Sequence, residues 1–311
     1  MKYCFGVDVG GTTVKMGLFQ VDGTLLEKWE IPTRKESVED LILPDIAEAI
    51  RERIIRHGLE KDAITGVGMG IPTAVKEDGY VKKVTNLGWK EKNVRIDLED
   101  MLGLSVKVGN DANVAALGEM WKGGGEGYSS LVMVTLGTGV GGGIILDGKI
   151  LTGAHGGAGE IGHLLAKRGE TKACGCGKKG CLEQYASATG ISRIAKEMLS
   201  DYNGKTMLSE ECSTAKDVFD AVKEGDELAI AVAEEFGKYL GYALADLGAV
   251  LDPEIFVIGG GVSKAGEILF EYIEGPYKER AFFSCENTKF ALAKLGNDAG
   301  IYGAARMVIE C

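Results

Sequence analysis

Three glycine clusters, each following a short apolar run, constrain this chain more than any other feature of its sequence. They are Gly10-Gly11-Thr12-Thr13 after Tyr3 to Val9, Gly137-Thr138-Gly139 after Ser129 to Leu136, and Gly259-Gly260-Gly261 after Glu254 to Ile258. Apolar runs of this length bounded by glycine read as buried strands, and loops that follow strands are where α/β sheets bind ligands. Without a Cβ, backbone N–H groups approach phosphate oxygens closely and the chain can take positive φ. A tight turn would account for any one cluster. Three in succession point to phosphate binding.

The remaining pattern is that of an α/β protein. Tyr3–Val9, Val14–Gln20 and a third strand after Asp22-Gly23 predict a β-meander, and apolar residues at helical spacing predict a helix from about Ser37 to Arg56, ending at His57-Gly58. Further strands are expected at Gly66–Ile71, Tyr80–Thr85, Ser105–Val108, Ser129–Leu136 and Gly142–Leu146, the last closed by the hairpin turn Asp147-Gly148. Ala112–Trp121 predicts a helix, Leu228–Leu247 a long one ending near Gly248, and Ser263 an N-cap for a helix to Glu274. A last helix is expected over Ala299–Ile309, and no internal repeat is visible. A chain of 311 residues exceeds the size at which one core stops growing, so two lobes with a cleft between them are expected.

Composition removes several function classes. Acidic residues outnumber basic ones, 46 to 35, and no Lys/Arg block forms a footprint for a phosphate backbone, so no nucleic-acid partner is expected. The first apolar run soon meets Asp8 and the glycines and reads as neither a signal peptide nor a membrane span. A cytoplasmic protein is expected. Gly137-Thr-Gly-Val-Gly-Gly142 fits the dinucleotide fingerprint G-x-G-x-x-G, but that motif needs a helix at the glycines, and here a hairpin follows. The chain carries no G-x-x-x-x-G-K-[ST] either, which excludes a P-loop.

Two further constellations carry chemistry. Asn110-Asp111-Ala-Asn113 lies between a strand and a helix; either residue could simply cap the helix, whereas an aspartate there also suits a base that deprotonates a hydroxyl nucleophile. Asp8, just before the first glycine loop, is similarly placed for Mg²⁺ or for capping a turn. Of seven cysteines, three crowd into Cys174-Gly-Cys176-Gly-Lys-Lys-Gly-Cys181, which suggests metal and not a disulfide framework. With His163 they supply three thiolates and an imidazole within 19 positions, a closed tetrahedral zinc set. His155 is the competing histidine.

These segments together resemble the ROK (repressor, open reading frame, kinase) family of sugar kinases over essentially the whole chain. The segments that match are Asp8-Val-Gly-Gly-Thr-Thr13, Asn110-Asp-Ala-Asn113, Leu136-Gly-Thr-Gly-Val-Gly-Gly-Gly143, Gly159-Glu-Ile-Gly-His163 and Cys174-x-Cys-Gly-x-x-Gly-Cys-Leu-Glu183. The resemblance implies an actin-like ATPase (ribonuclease H-like) fold, with residues 1–118 plus 299–311 in a smaller N-terminal lobe and 119–298 in a larger lobe carrying the zinc loop. It implies ATP and Mg²⁺ as cofactors, a zinc ion on His163, Cys174, Cys176 and Cys181, and phosphorylation of a hexose, most simply glucose, at its 6-hydroxyl. Asp111 would be the catalytic base, and Asn110, Asp111, Glu160, His163 and Glu183 would hold the sugar. Asp8, Gly10, Gly11, Thr12, Thr13, Lys15, Gly137, Thr138, Gly139, Gly260 and Gly261 would hold ATP. Relatives also imply a homo-oligomer, dimer or tetramer, with no membrane partner.

The same resemblance leaves other functions open. Mannose, fructose, N-acetylglucosamine or N-acetylmannosamine could meet the same carboxylates, and Ala74 in Ile71-Pro72-Thr73-Ala74 replaces a glycine usual on the sugar side. The family also contains sugar-responsive repressors with an added DNA-binding helix-turn-helix, which is not expected here because Asp8 follows only seven residues. A filament-forming or chaperone ATPase could share the fold, but the zinc loop and Asn110-Asp111 argue against it.

Overall fold

The computed structural model describes residues 1–35 and 41–309. In chain order it begins with strands β1 (Tyr3–Val9), β2 (Thr13–Gln20) and β3 (Leu25–Pro32) and helix α1 (Ile42–Arg56). Next come β4 (Ile64–Ile71), the two-residue strands β5 (Tyr80–Val81) and β6 (Lys92–Asn93), α2 (Val94–Leu102), β7 (Val106–Asn110) and α3 (Asp111–Lys122). Strands β8 (Leu131–Leu136), β9 (Val140–Leu146) and β10 (Lys149–Ile150) precede helices α4 (Glu183–Ala186), α5 (Ala188–Asp201), α6 (Ala215–Lys223) and α7 (Glu227–Leu251). The chain ends with β11 (Ile255–Gly259), α8 (Ile268–Arg280), β12 (Lys289–Leu292) and α9 (Ala299–Met307).

Two compact units emerge. The first comprises Met1–Ser129, Gly143–Gly159 and Lys294–Cys311, the second Ser130–Gly142 and Glu160–Ala293. A boundary at residue 118, as the sequence suggests, would cut through α3, which runs on to Lys122. Glu119 on that helix is fully buried, and its carboxylate accepts the N–H groups of Gly124, Lys294 and Leu295 at 2.7, 2.9 and 2.8 Å. Those bonds tie the helix end and the last chain segment into the first unit.

The first sheet has the order β3-β2-β1-β4-β7, antiparallel through β1–β3 and parallel from β1 to β7. Strand β1 is buried along most of its length, as a central strand with covered faces must be, while the edge strand β3 alternates exposed and covered residues. Helix α9 crosses α3 at closest approach through glycines: a Cβ on Gly303 would lie 1.7 Å from Val114 O, and one on Gly118 would lie 2.3 Å from Ala299 O. Gly303→Ala is therefore expected to force the helices apart and cost about 1–3 kcal/mol, read as a lowered thermal midpoint. An unchanged midpoint would show that the crossing is soft.

In the second sheet the order is β10-β9-β8-β11-β12, with β8, β11 and β12 parallel. Counting strands within each sheet, both orders read third, second, first, fourth, fifth. In the amino-acid sequence this repetition shows only as a glycine loop after the first strand of each sheet, not as repeated residues. In the second unit, α7 packs against α8, α5 and α6 and buries Leu228, Val232, Phe236, Leu240 and Leu244. Helix α5 starts at Ser187, whose Oγ accepts Gly190 N–H, and α6 starts at a Thr214/Asp217 capping box.

Several expected elements end elsewhere. Residues Ser37 to Asp40 lie outside the described residues, and α1 begins at Ile42. The strand predicted over Tyr80–Thr85 is a strand only at Tyr80–Val81; Val84 makes a single antiparallel bridge to Trp89, around a 3₁₀ turn closed by Gly88 at φ 71°. Helix α7 passes Gly248 and stops at Asp252, φ 45°; Gly248 lacks a side chain because the Tyr277 hydroxyl packs there. Ser263 is no helix cap: its hydroxyl donates to Gly260 O, and Gly266 at φ 93° separates it from α8.

Candidate active site

In the first unit the β1–β2 turn is closed by Gly10 N–H donating to Thr13 O, and Thr33 secures it by donating from its hydroxyl to Gly10 O and from its N–H to Thr12 O. Lys15, on β2, donates from Nζ to Asn297 O at 3.2 Å. Asp8 is largely enclosed. Burial pushes its carboxyl up to about 6, with Lys15 pulling it down and the nearby Asp111 carboxylate pushing it up.

Asn110 ends β7 and caps α3. Its Oδ1 accepts the N–H groups of Ala112 and Asn113 at 3.0 and 3.1 Å, and its Nδ2 donates to Thr73 O at 3.1 Å. The capping reading therefore holds for Asn110, with one amide hydrogen left over. Asp111, half-buried at the first helical position, accepts Ala112 N–H at 2.8 Å through one oxygen. Thr73 is spent on the fold, since its hydroxyl donates to Lys83 O, whereas Ala74 is exposed.

In the second unit the β8–β9 loop carries Gly137, Thr138 and Gly139. Gly137 O accepts Ala188 N–H and Thr138 O accepts the Thr189 hydroxyl, which ties the loop to the start of α5. Glu183, the first residue of α4, reaches the same loop: its Oε2 accepts Val140 N–H at 3.1 Å, and a Cβ on Gly139 would lie 2.1 Å from that oxygen. Glycine at 139 thus makes room for a carboxylate, a role the sequence does not reveal. Gly260, at φ 84°, would set a Cβ 2.5 Å from Leu136 O. Beside Gly261 lies a cavity of about 320 Å³ lined by Ala188, Thr214, Phe219, Asp220 and Lys264. Sequence reasoning missed these residues, although Thr214-x-x-Asp217 was legible as a helix start.

The metal set converges. Ligand atoms of His163, Cys174, Cys176 and Cys181 all lie within 4.8 Å of one another. Cys176 and Cys181 sulfurs are 3.6 Å apart, and Cys174 Sγ is 3.9 Å from His163 Nδ1. A tetrahedral zinc with bonds of 2.0–2.3 Å requires separations of about 3.5–3.8 Å, so the set fits that ion. Burial pushes the Cys174 and Cys181 thiols up, so thiolates there need a cation. His155 lies outside this cluster. His163 Nε2 stands 3.9 Å from Glu160 Oε2, and Cys174 Sγ is 3.5 Å from Glu183 Oε1. Among the described residues no helix is long and apolar enough to cross a membrane.

Two sheets of the same strand order, each with a glycine loop between its first two strands, define an actin-like ATPase fold. The chain belongs to the ROK family, which it matches over residues 4–311. It is 44% identical to a glucokinase of Halalkalibacterium halodurans, over 99% of this chain and 95% of that one. Among solved structures it resembles a ROK hexokinase from Thermus thermophilus (TM-score 0.80, 32% identity, 98% and 97% covered). It also resembles a ROK family glucokinase from Streptomyces griseus in complex with glucose and AMPPNP (TM-score 0.71, 32% identity, 98% of each chain).

Proposed function

We propose that this protein transfers the γ-phosphoryl group of ATP to the 6-hydroxyl of glucose. The observation that carries this reading is the placement of Glu183, whose carboxylate joins the Gly137–Gly139 loop to the thiol cluster. Asp111 accepts the proton of the 6-hydroxyl as its oxygen attacks the γ-phosphorus, and ADP departs with the bridging oxygen. Glu160, Glu183 and the spare amide hydrogen of Asn110 hold the other hydroxyls. Gly10, Gly11, Thr12, Thr13, Lys15, Gly137, Thr138, Gly139, Gly260 and Gly261 serve the nucleotide, its base and ribose beside Thr214 and Phe219. Mg²⁺, near Asp8, would neutralise phosphate charge.

Zinc would take His163 through Nδ1, the nitrogen facing Cys174, leaving Nε2–H to donate to the sugar. Four protein ligands leave it no open position, so its work is to hold the loop and the imidazole. A dimeric or tetrameric state rests on the family resemblance, and a cytoplasmic location on the first apolar run reading as neither a signal peptide nor a membrane span. A coupled ADP-release assay over glucose, mannose, fructose and N-acetylglucosamine, with zinc measured in the same preparation, tests the reading. Glucose is expected to give the highest kcat/KM with about one zinc per chain. ADP release with none of the sugars would overturn it.

A further inference from the structure

The loop from Leu164 to Gly180 leaves the turn at His163 and returns at Cys181, and most of what holds it is not thiol. Leu182 N–H donates to Leu164 O, and the N–H groups of Ala166 and Lys167 both donate to Gly180 O. Glu170 accepts the N–H groups of Thr171 and Lys172 and the hydroxyl of buried Tyr185. Lys172 reaches Glu197 at 2.7 Å, and Arg193 reaches the same carboxylate at 3.0 Å.

One side chain stands where these strands of the network meet. Gln184 Oε1 accepts the N–H groups of Gly180 and Cys181 at 2.8 and 3.1 Å, and its Nε2 donates to Lys172 O at 3.1 Å. Its own backbone oxygen accepts Arg193 Nη2 at 2.8 Å, so α5 holds the residue that holds the loop. Gly180 and Cys181 are both buried, so no water replaces the amide oxygen if it is removed. The turn itself has no slack, because Gly180 sits at φ 76° with Lys167 O 2.0 Å from where a Cβ would be.

We propose that Gln184 is a positioning residue: its carboxamide fixes the Gly180–Cys181 turn, and so the place of Cys181 in the metal set and the loop that carries His163. Glu183 and Gln184 are adjacent on α4, so one turn of helix presents a carboxylate beside the Gly137 loop and a latch to the metal loop. The inference rests on the zinc reading for its metal arm and on the sugar reading for its kinetic arm. Gln184→Leu keeps the volume and removes every polar contact of the side chain. Gln184→Glu restores an oxygen acceptor for both N–H groups.

The leucine variant is expected to release zinc to a chromogenic chelator about 10- to 100-fold faster and to raise the KM for glucose by about tenfold. KM for ATP and kcat should stay near wild type, and the glutamate variant should recover most of the metal retention and of the glucose KM. A purely structural role would lower stability without separating the two substrates and without rescue by glutamate. Zinc release and glucose KM equal to wild type in the leucine variant would overturn the proposal. If wild-type protein proves to hold no zinc, the metal reading fails by itself, and the split between the two KM values still decides the role of Gln184. Should the leucine variant not fold, Gln184→Asn, one methylene shorter, takes its place with the same expected direction and the same overturning result.

Discussion

Asp111→Asn is expected to lower kcat by about 10²- to 10⁴-fold while moving the KM for glucose only modestly, the range set by loss of a positioned general base. The fold gives this variant little reason to fail. Asn110 supplies the cap of α3, and an amide oxygen at 111 can still accept Ala112 N–H as the carboxylate does at 2.8 Å. What the amide cannot do is take the proton of the attacking hydroxyl. The charge lost also relieves Asp8, whose carboxyl is pushed up in part by Asp111, so Asp8 should ionise more readily in the variant. Rapid-quench measurement of the chemical step, beside the thermal midpoint of the same preparation, checks the prediction. A kcat near wild type would reduce Asp111 to a second residue of the helix cap.

Gly139→Val is expected to raise the KM for ATP and for glucose together, each by about tenfold or more, since displacements near 1 Å at such sites can cost about 10²-fold. From the sequence alone the residue belongs to a phosphate loop, and a branch there would be expected to hurt ATP binding. The structure adds the second substrate, because the new Cβ would lie 2.1 Å from Glu183 Oε2 and 3.0 Å from its Cδ, so the carboxylate must move. Thr138→Val is the control. Thr138 is exposed, and the bond that anchors it to Thr189 uses its carbonyl oxygen, which valine keeps, so only the ATP KM should rise. Steady-state kinetics with each substrate varied would settle the matter. A valine variant with wild-type KM for glucose would show that Glu183 does not serve the sugar from its position beside Val140.

Much of the site was legible because it is locally encoded. Asn110 and Asp111 are adjacent, the thiols fall within one short loop, and each glycine loop follows its own strand, so spacing alone assembles each of these groups locally. Where the reading went astray, the residue served a partner outside the helix it was assigned to. Ser263 looked like a helix cap but is tied to Gly260, and Gly248 looked like a helix end but makes room for Tyr277.

The sequence by itself marked most of the strands, the glycine loops and the cluster of three thiols and an imidazole, since apolar runs, glycine and residue spacing act over a few residues. Tertiary structure alone decided the rest. Glu119 is paired with N–H groups 175 and 176 positions away, and Glu183 with one 43 positions away. Gln184 carries no motif, and its importance comes from what the chain folds against it. The repeated strand order of the two sheets is hidden for the same reason: it is a pattern of hydrogen bonds between strands, and many different apolar sequences satisfy it equally well.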